Sequence, residues 1–145
     1  MARLGTQRDP DALLTHWIHG LVAHWNGAIQ ESISEMERAA AVSERHGYTL
    51  AHCAMVHRTA GNLAEARALH EELAGLSTRK YISNTLRALS STAVGDMDAA
   101  VDFALQACDE REPLLLLYSR WIPDFQPLRD DPRFAEVLQR LAYPA

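Results

Sequence analysis

Three stretches decide how this chain folds: GLVAHWNGAIQES at residues 20–32, AMVHRTAGNLAEA at 54–66 and ALSSTAVGDMDAA at 88–100. Each holds a turn glycine at the same place, and Gly27, Gly61 and Gly95 are 34 residues apart. Seven residues before each glycine stands a small residue (Gly20, Ala54, Ala88), and five after it another (Ser32, Ala66, Ala100). Small residues at these places let two helix backbones approach where a large side chain would hold them apart. Twelve after each glycine come Ala39, Leu73 and Ala107, apolar and in helical phase with the preceding small residue. Self-similarity at a fixed period of this length marks a stacked helical repeat.

Working outward, the turns supply local chemistry that fits. Gly61-Asn62 and Gly95-Asp96 set a turn glycine before a side chain able to accept from an orphan N–H at a helix start. Glu65, three residues beyond Asn62, completes the pattern of a capping box. Each unit reads as helix, tight turn, helix, over 13–46, 47–80 and 81–114.

These units resemble tetratricopeptide (TPR) repeats. The family's larger positions are filled atypically: His16, Leu50 and Asn84 at the tryptophan-like position, Ala23, His57 and Ser91 at the tyrosine position, and Met36, His70 and Ala104 in the second helix. The segment Pro123-Asp124-Phe125-Gln126-Pro127-Leu128-Arg129-Asp130-Asp131-Pro132-Arg133-Phe134 is similar to an ending found after TPR arrays in many bacterial regulatory proteins. There such arrays follow transcription-activator, cyclase or kinase domains. The resemblance implies an all-α solenoid in a single domain, 1–145, with a C-terminal cap over 115–145 containing a capping helix. A stack needs such a cap over its last apolar face. Asp131 with Pro132 suits a helix start, Phe134, Val137, Leu138 and Leu141 recur at helical spacing, and Pro123 and Pro127 favour an extended link.

Composition narrows the function classes. The chain has 145 residues, 48% of them hydrophobic, and a formal net charge of −5. That charge is the wrong sign for a nucleic-acid binder, which must displace cations from phosphates. The longest wholly apolar run, Leu114–Leu117, is far too short to span a bilayer, and residues 1–14 hold no signal-peptide core. Cys53 and Cys108, distant in sequence, read as free buried thiols. A cytoplasmic protein bound to no membrane is the expectation.

No catalytic motif emerges: there is no G-x-S-x-G, P-loop or dinucleotide glycine pattern. His16 with His19, and Cys53 with His57, share helix faces at spacings that suit zinc, yet neither carries a companion ligand motif. They read as packing residues, so no cofactor or metal and no enzymatic activity are expected. A thiol nucleophile built from Cys53 and His57 is the remaining catalytic alternative. Arg129 and Arg133, interleaved with Asp130 and Asp131, read as local pairing and capping.

The resemblance implies that function lies in a groove lined by the first helix of each repeat. Carried over residue by residue, this names Trp17, Leu21 and His24, then Tyr48, Met55 and Arg58, then Thr85, Leu89 and Thr92, with Leu14, Ala51 and Ile82 beside them. The implied function is binding another protein or peptide, with a surface combining Trp17, Tyr48, Met55 and Arg58 of the kind that carries binding hot spots. The alternative is a regulatory or sensory module that acts through self-association, with Trp17 and Trp25 on a homodimer face.

Overall fold

The computed structural model describes residues 10–142, and every regular element among them is helical. The order is α1 (Pro10–Trp25), α2 (Ile29–Val42), α3 (Gly47–Thr59), α4 (Leu63–Ser77), α5 (Asn84–Ala93), α6 (Met97–Asp109), α7 (Pro113–Trp121), a 3-10 turn (Pro123–Phe125), α8 (Gln126–Arg129) and α9 (Phe134–Leu141). Residues 1–9 and 143–145 lie outside the described residues. Most of the polar, proline-punctuated stretch 1–12 falls in the first of these.

Successive helices pair into hairpins: α1 packs on α2, α3 on α4 and α5 on α6. Each hairpin then lies on the one before it through α2 with α3, α4 with α5 and α3 with α5. The break inside each hairpin falls at Gly27, Gly61 and Gly95, whose φ angles of 79°, 81° and 79° lie in the left-handed region that glycine enters without a Cβ clash. The small residues sit where the helices cross. Ser32, Ala54, Ala66, Ala88 and Ala100 are buried, Ser32 Oγ donates to the Gly20 carbonyl at 2.7 Å, and a Cβ on Gly20 would meet Met36 Cγ at 3.0 Å. Close backbone approach is thus enforced by size and fixed by a hydrogen bond.

Two of the local expectations are corrected. Asp96 caps α6 by accepting from Ala99 N at 3.0 Å, but Asn62 makes no such bond to α4. Its Nδ2 lies 3.2 Å from His57 Nδ1 on the preceding helix, so a side-chain partner already present takes the amide that would have capped. The segment after α7 is likewise not extended. Pro123 and Pro127 occupy the first turns of the 3-10 turn and α8, where a missing N–H removes no helical bond. The cap is therefore several short helices, and α9 begins at Phe134 with Asp131 holding the turn before it.

The core is one large cluster running from Leu50 to Val137 and a smaller one of Leu21, Met36, Ala40, Cys53 and Val56 beneath α1 and α2. Rings form a continuous line through it. Trp17 meets Tyr48 at 5.1 Å and His52 at 5.6 Å, His52 meets Tyr118 at 5.6 Å, and Tyr118, Phe125 and Phe134 follow at 5.6 and 6.3 Å. This line joins α1 to α9, and edge-to-face contacts of this kind add roughly 0.5–1.5 kcal/mol each beyond burial.

Candidate functional site

The face on which α1, α3 and α5 present the groove residues is already occupied over much of its length by the chain's own segment 118–125. Tyr118 packs against Tyr48 and His52, and both α7 and the 3-10 turn contact α5. Asp124 reaches furthest. Its Oδ1 lies 3.2 Å from His24 Nδ1 on α1 and its Oδ2 lies 3.4 Å from His52 Nδ1 on α3. All three side chains are buried, and His24 Nδ1, His52 Nδ1 and Asp124 Oδ2 make no well-aligned hydrogen bond, so the attraction is chiefly electrostatic. Burial alone would raise the Asp124 carboxyl, but the two histidines more than offset it and hold the group below the usual carboxylate range. The outer edges of the rings are also engaged, His52 Nε2 with Tyr118 Oη at 2.6 Å and His24 Nε2 with Thr59 Oγ1 at 2.8 Å.

This arrangement decides where the sequence-derived site residues stand. Leu21 lies in the smaller core cluster, and Met55 and Leu89 in the larger. Thr85 is buried with its N–H and hydroxyl donating to Glu112, and Thr92 Oγ1 donates to the Ala88 carbonyl. Two further groove residues are used internally: His24 by Asp124, and Arg58 by the Ala93 carbonyl at the end of α5, 3.1 Å from Nη1. Trp17 and Tyr48 alone of the nine are brought together at an opening. They line a cleft of about 540 Å³ with Leu13, Leu14, Ser43, His46 and Thr49.

α3 begins at this cleft for a local reason: His46, in an extended conformation, accepts from Tyr48 N through Nδ1 at 3.2 Å and starts the helix. Ser43 Oγ and Thr49 Oγ1, 2.9 Å apart, tie the end of α2 to the first turn of α3. The α3 side of the cleft is thus tied to the end of α2, with apolar α1 opposite.

The histidine pairs singled out for metal behave differently. His16 Nδ1 lies 2.6 Å from Glu35 Oε2 and His19 Nε2 2.6 Å from Glu31 Oε1, so α1 is fastened to α2 by histidine–carboxylate contacts. The His16 contact holds the Glu35 carboxyl below its usual range. Among the described residues no group of three or more His, Cys, Asp or Glu side chains is arranged to hold a metal ion. Cys53 Sγ donates weakly to the Met36 carbonyl at 3.3 Å, and burial pushes its thiol up to about 12. A protonated thiol of that kind is not an activated nucleophile, and His57 lies toward Asn62 and Glu37 instead.

Arg133 pairs locally with Asp131 as its sequence neighbours suggest, whereas Arg129 turns from Asp130 to Gln126 and to the end of α7. Arg129 Nη1 donates to the Tyr118 and Ser119 carbonyls at the end of α7, and Arg133 binds Asp131 and reaches Asp98 on α6 at 2.6 Å. Sequence reasoning missed Glu112, which gathers Tyr81 Oη, Ser83 Oγ, Asn84 N, Thr85 N and Thr85 Oγ1 at the start of α5. Burial raises its carboxyl, yet these donors bring it down to about 2. Asp124 was equally unmarked, although an acidic residue between Pro123 and Phe125, flanked by apolar Ile122 and Leu128, is the kind of signal that could have found it.

Compared with protein-family models, curated proteins and solved structures, the chain matches none. No helix among the described residues is long and apolar enough to cross a membrane.

Proposed function

We propose that this chain is a TPR-like α-solenoid that works in the cytoplasm as a protein-binding module, without catalysis or cofactor. The 34-residue spacing of left-handed turn glycines, the buried small residues at each crossing and the hairpin-on-hairpin packing support the solenoid reading. The observation that carries the binding reading is the cleft of about 540 Å³, lined almost wholly by apolar groups of Leu13, Leu14, Trp17 and Tyr48. It is wide enough to take one or two apolar side chains of a partner peptide or helix, and it pairs an aromatic floor with polar Ser43, His46 and Thr49 at one side. The occupied middle of the face leaves this end as the docking place.

The test is capture of binding proteins from the host's lysate by wild type and by Leu13→Glu and Tyr48→Ala variants of confirmed helicity. A protein held by wild type and released by both variants, then shown with purified components to quench Trp17 fluorescence, supports the reading. Equal retention by all three, or none by any, removes the cleft as the working surface. A regulatory module acting through self-association is the second reading, favoured by an exposed apolar face on α1.

A further inference from the structure

Between Ala12 and Trp25 the chain contains no Asp, Glu, Lys or Arg, and the ionisable side chains of that stretch are His16, His19 and His24. All three face carboxylates on other elements. His16 Nδ1 and His19 Nε2 each lie 2.6 Å from a glutamate of α2, Glu35 and Glu31, and His19 Nδ1 is 3.6 Å from Glu35 Oε2 as well. His24 meets Asp124 of the 3-10 turn. The Glu35 and Asp124 side chains are 11 and 3% exposed, so water hydrates neither carboxylate well and each relies on its partners for compensation.

The far end of the stack is fastened by a different chemistry. Arg133, just before α9, reaches Asp98 of α6, and Arg140 of α9 reaches Asp109 of α6 at 2.8 Å. A guanidinium is always charged, whereas imidazole changes charge between about pH 5 and 8. α1 also has one side uncovered: it packs chiefly on α2, and Leu14, Ile18, Val22 and Trp25 stand in solvent. A helix held on one side opens locally at lower cost than the core behind it. The other ionisable groups around these contacts are few. Asp11 stands in the first turn of α1, and Arg38 lies 3.3 Å from Glu35 Oε1. Arg38 belongs to α2, as Glu35 does, so that pair does not cross between helices. On α3, His52 shares Asp124 and bonds Tyr118 of α7, Tyr48 packs on Trp17, His57 faces Glu37 of α2, and Arg58 turns to α5.

We propose that α1 is a pH-gated wall of the cleft: charged imidazoles hold it against α2 and the 3-10 turn, and loss of their protons loosens it. With His16, His19 and His24 charged, each contact is an ion pair. As pH rises through the ordinary histidine range, near about 6.5, the positive partners disappear and Glu31, Glu35 and Asp124 keep an unbalanced negative charge. On the acid side the pairs persist, because the His16 hydrogen bond holds the Glu35 carboxyl below its usual range. α1 is therefore held most firmly at mildly acidic pH and least firmly at alkaline pH. It carries Leu13, Leu14 and Trp17 of the cleft, so its loosening takes one wall away. Where a partner docks in the cleft as proposed above, the same protons gate that docking; the gate itself does not depend on that reading.

The test is hydrogen exchange of the full chain read by mass spectrometry, with protection corrected for the pH dependence of intrinsic exchange. An exposed ion pair is worth up to about fivefold and a buried one more. Protection of α1 should accordingly fall at least about tenfold between about pH 6 and about pH 8. α6 and α9, joined through Arg133 and Arg140, should keep theirs. Glu35→Gln, which removes the carboxylate facing both His16 and His19, should bring the α1 response down to about threefold. Arg45→Gln, at the pair with Glu72 of α4, should leave the response unchanged. Level protection of α1 across the range overturns the proposal, as does an equal fall in α6 and α9, a wild-type response in Glu35→Gln or a response abolished by Arg45→Gln. Should Glu35→Gln leave α1 unprotected at every pH, His19→Gln decides, since that side chain is 48% exposed and its loss opens no gap in the core. A response smaller than wild type then supports the gate, and an undiminished one overturns it. No partner enters the assay, so the gate and the binding reading fail separately.

Discussion

Replacing Asp124 by Asn is the perturbation with the clearest expected size. The carboxylate is buried, and its two oxygens stand 3.2 and 3.4 Å from His24 and His52, on helices far removed in sequence. At an effective dielectric of about 20, a full charge pair at such a distance attracts by about 5 kcal/mol, an upper bound that desolvation largely offsets. The net loss is better taken from removing one member of a buried polar cluster, about 1–3 kcal/mol. Asn keeps the shape and loses the charge, so Asp124→Asn should cost about 2 kcal/mol and Asp124→Ala, which also opens a gap, about 3. For a chain of this size each kcal/mol lowers Tm by about 2–4 °C.

Urea denaturation followed by circular dichroism at neutral and acidic pH measures this directly. Asp124 has a depressed folded-state pKa, so its contribution is complete above the unfolded carboxylate value of about 3.9 and is lost as pH falls toward the folded value. The gap between wild type and Asp124→Asn should therefore be widest near neutrality and shrink below about pH 4. A double-mutant cycle with His52→Gln should show coupling of more than about 0.5 kcal/mol. If Asp124→Asn unfolds within about 0.5 kcal/mol of wild type at neutral pH, or if the two substitutions simply add, the carboxylate is not what fastens the C-terminal segment to α1 and α3.

Three further outcomes are expected. Glu112→Gln, which weakens five contacts at the start of α5, should cost about 1–2 kcal/mol at neutral pH. Since Glu112 is held down to about 2, wild type should lose this advantage as pH falls from about 4.3 toward that value, and a pH-independent gap in urea midpoints would refute it. Gly61→Ala, at φ 81° with open space around the added methyl, should cost about 1–2 kcal/mol through backbone strain alone; an unchanged Tm would show that the turn tolerates a Cβ. Cys53 should react with a disulfide reagent at mildly alkaline pH only as fast as the protein opens, because its thiol is buried and raised to about 12, whereas rapid stoichiometric labelling of Cys53 in the native state would contradict the burial.

The hairpins were legible because their determinants are local. A left-handed turn at Gly61 and a crossing that admits only Ala54 and Ala66 are steric demands made within a dozen residues, and they leave their mark on the letters. Asn62 shows where local reasoning stops: the capping pattern was present, but His57 stood close enough to take the amide. The groove was harder still. Segment 118–125 folds back onto Tyr48, His52 and His24, on helices that precede it by up to about a hundred residues, and nothing within either stretch announces the other. Asp124 with His24 and His52 is a tertiary fact written in three ordinary-looking residues.

That folding-back has a functional consequence. In an open stack, the first helices of successive hairpins would share one continuous surface, and a partner could lie along all of it. Here Tyr118, Asp124 and Phe125 occupy the middle of that surface through ring packing and buried charge. Those interactions belong to the same core that carries Phe134 and Val137, so displacing the segment would mean unfolding the cap, at a cost of several kcal/mol. A partner with ordinary affinity cannot supply that energy and still bind. On the proposed reading, recognition is left to the end of the molecule where α1 meets the start of α3, beside exposed Leu14.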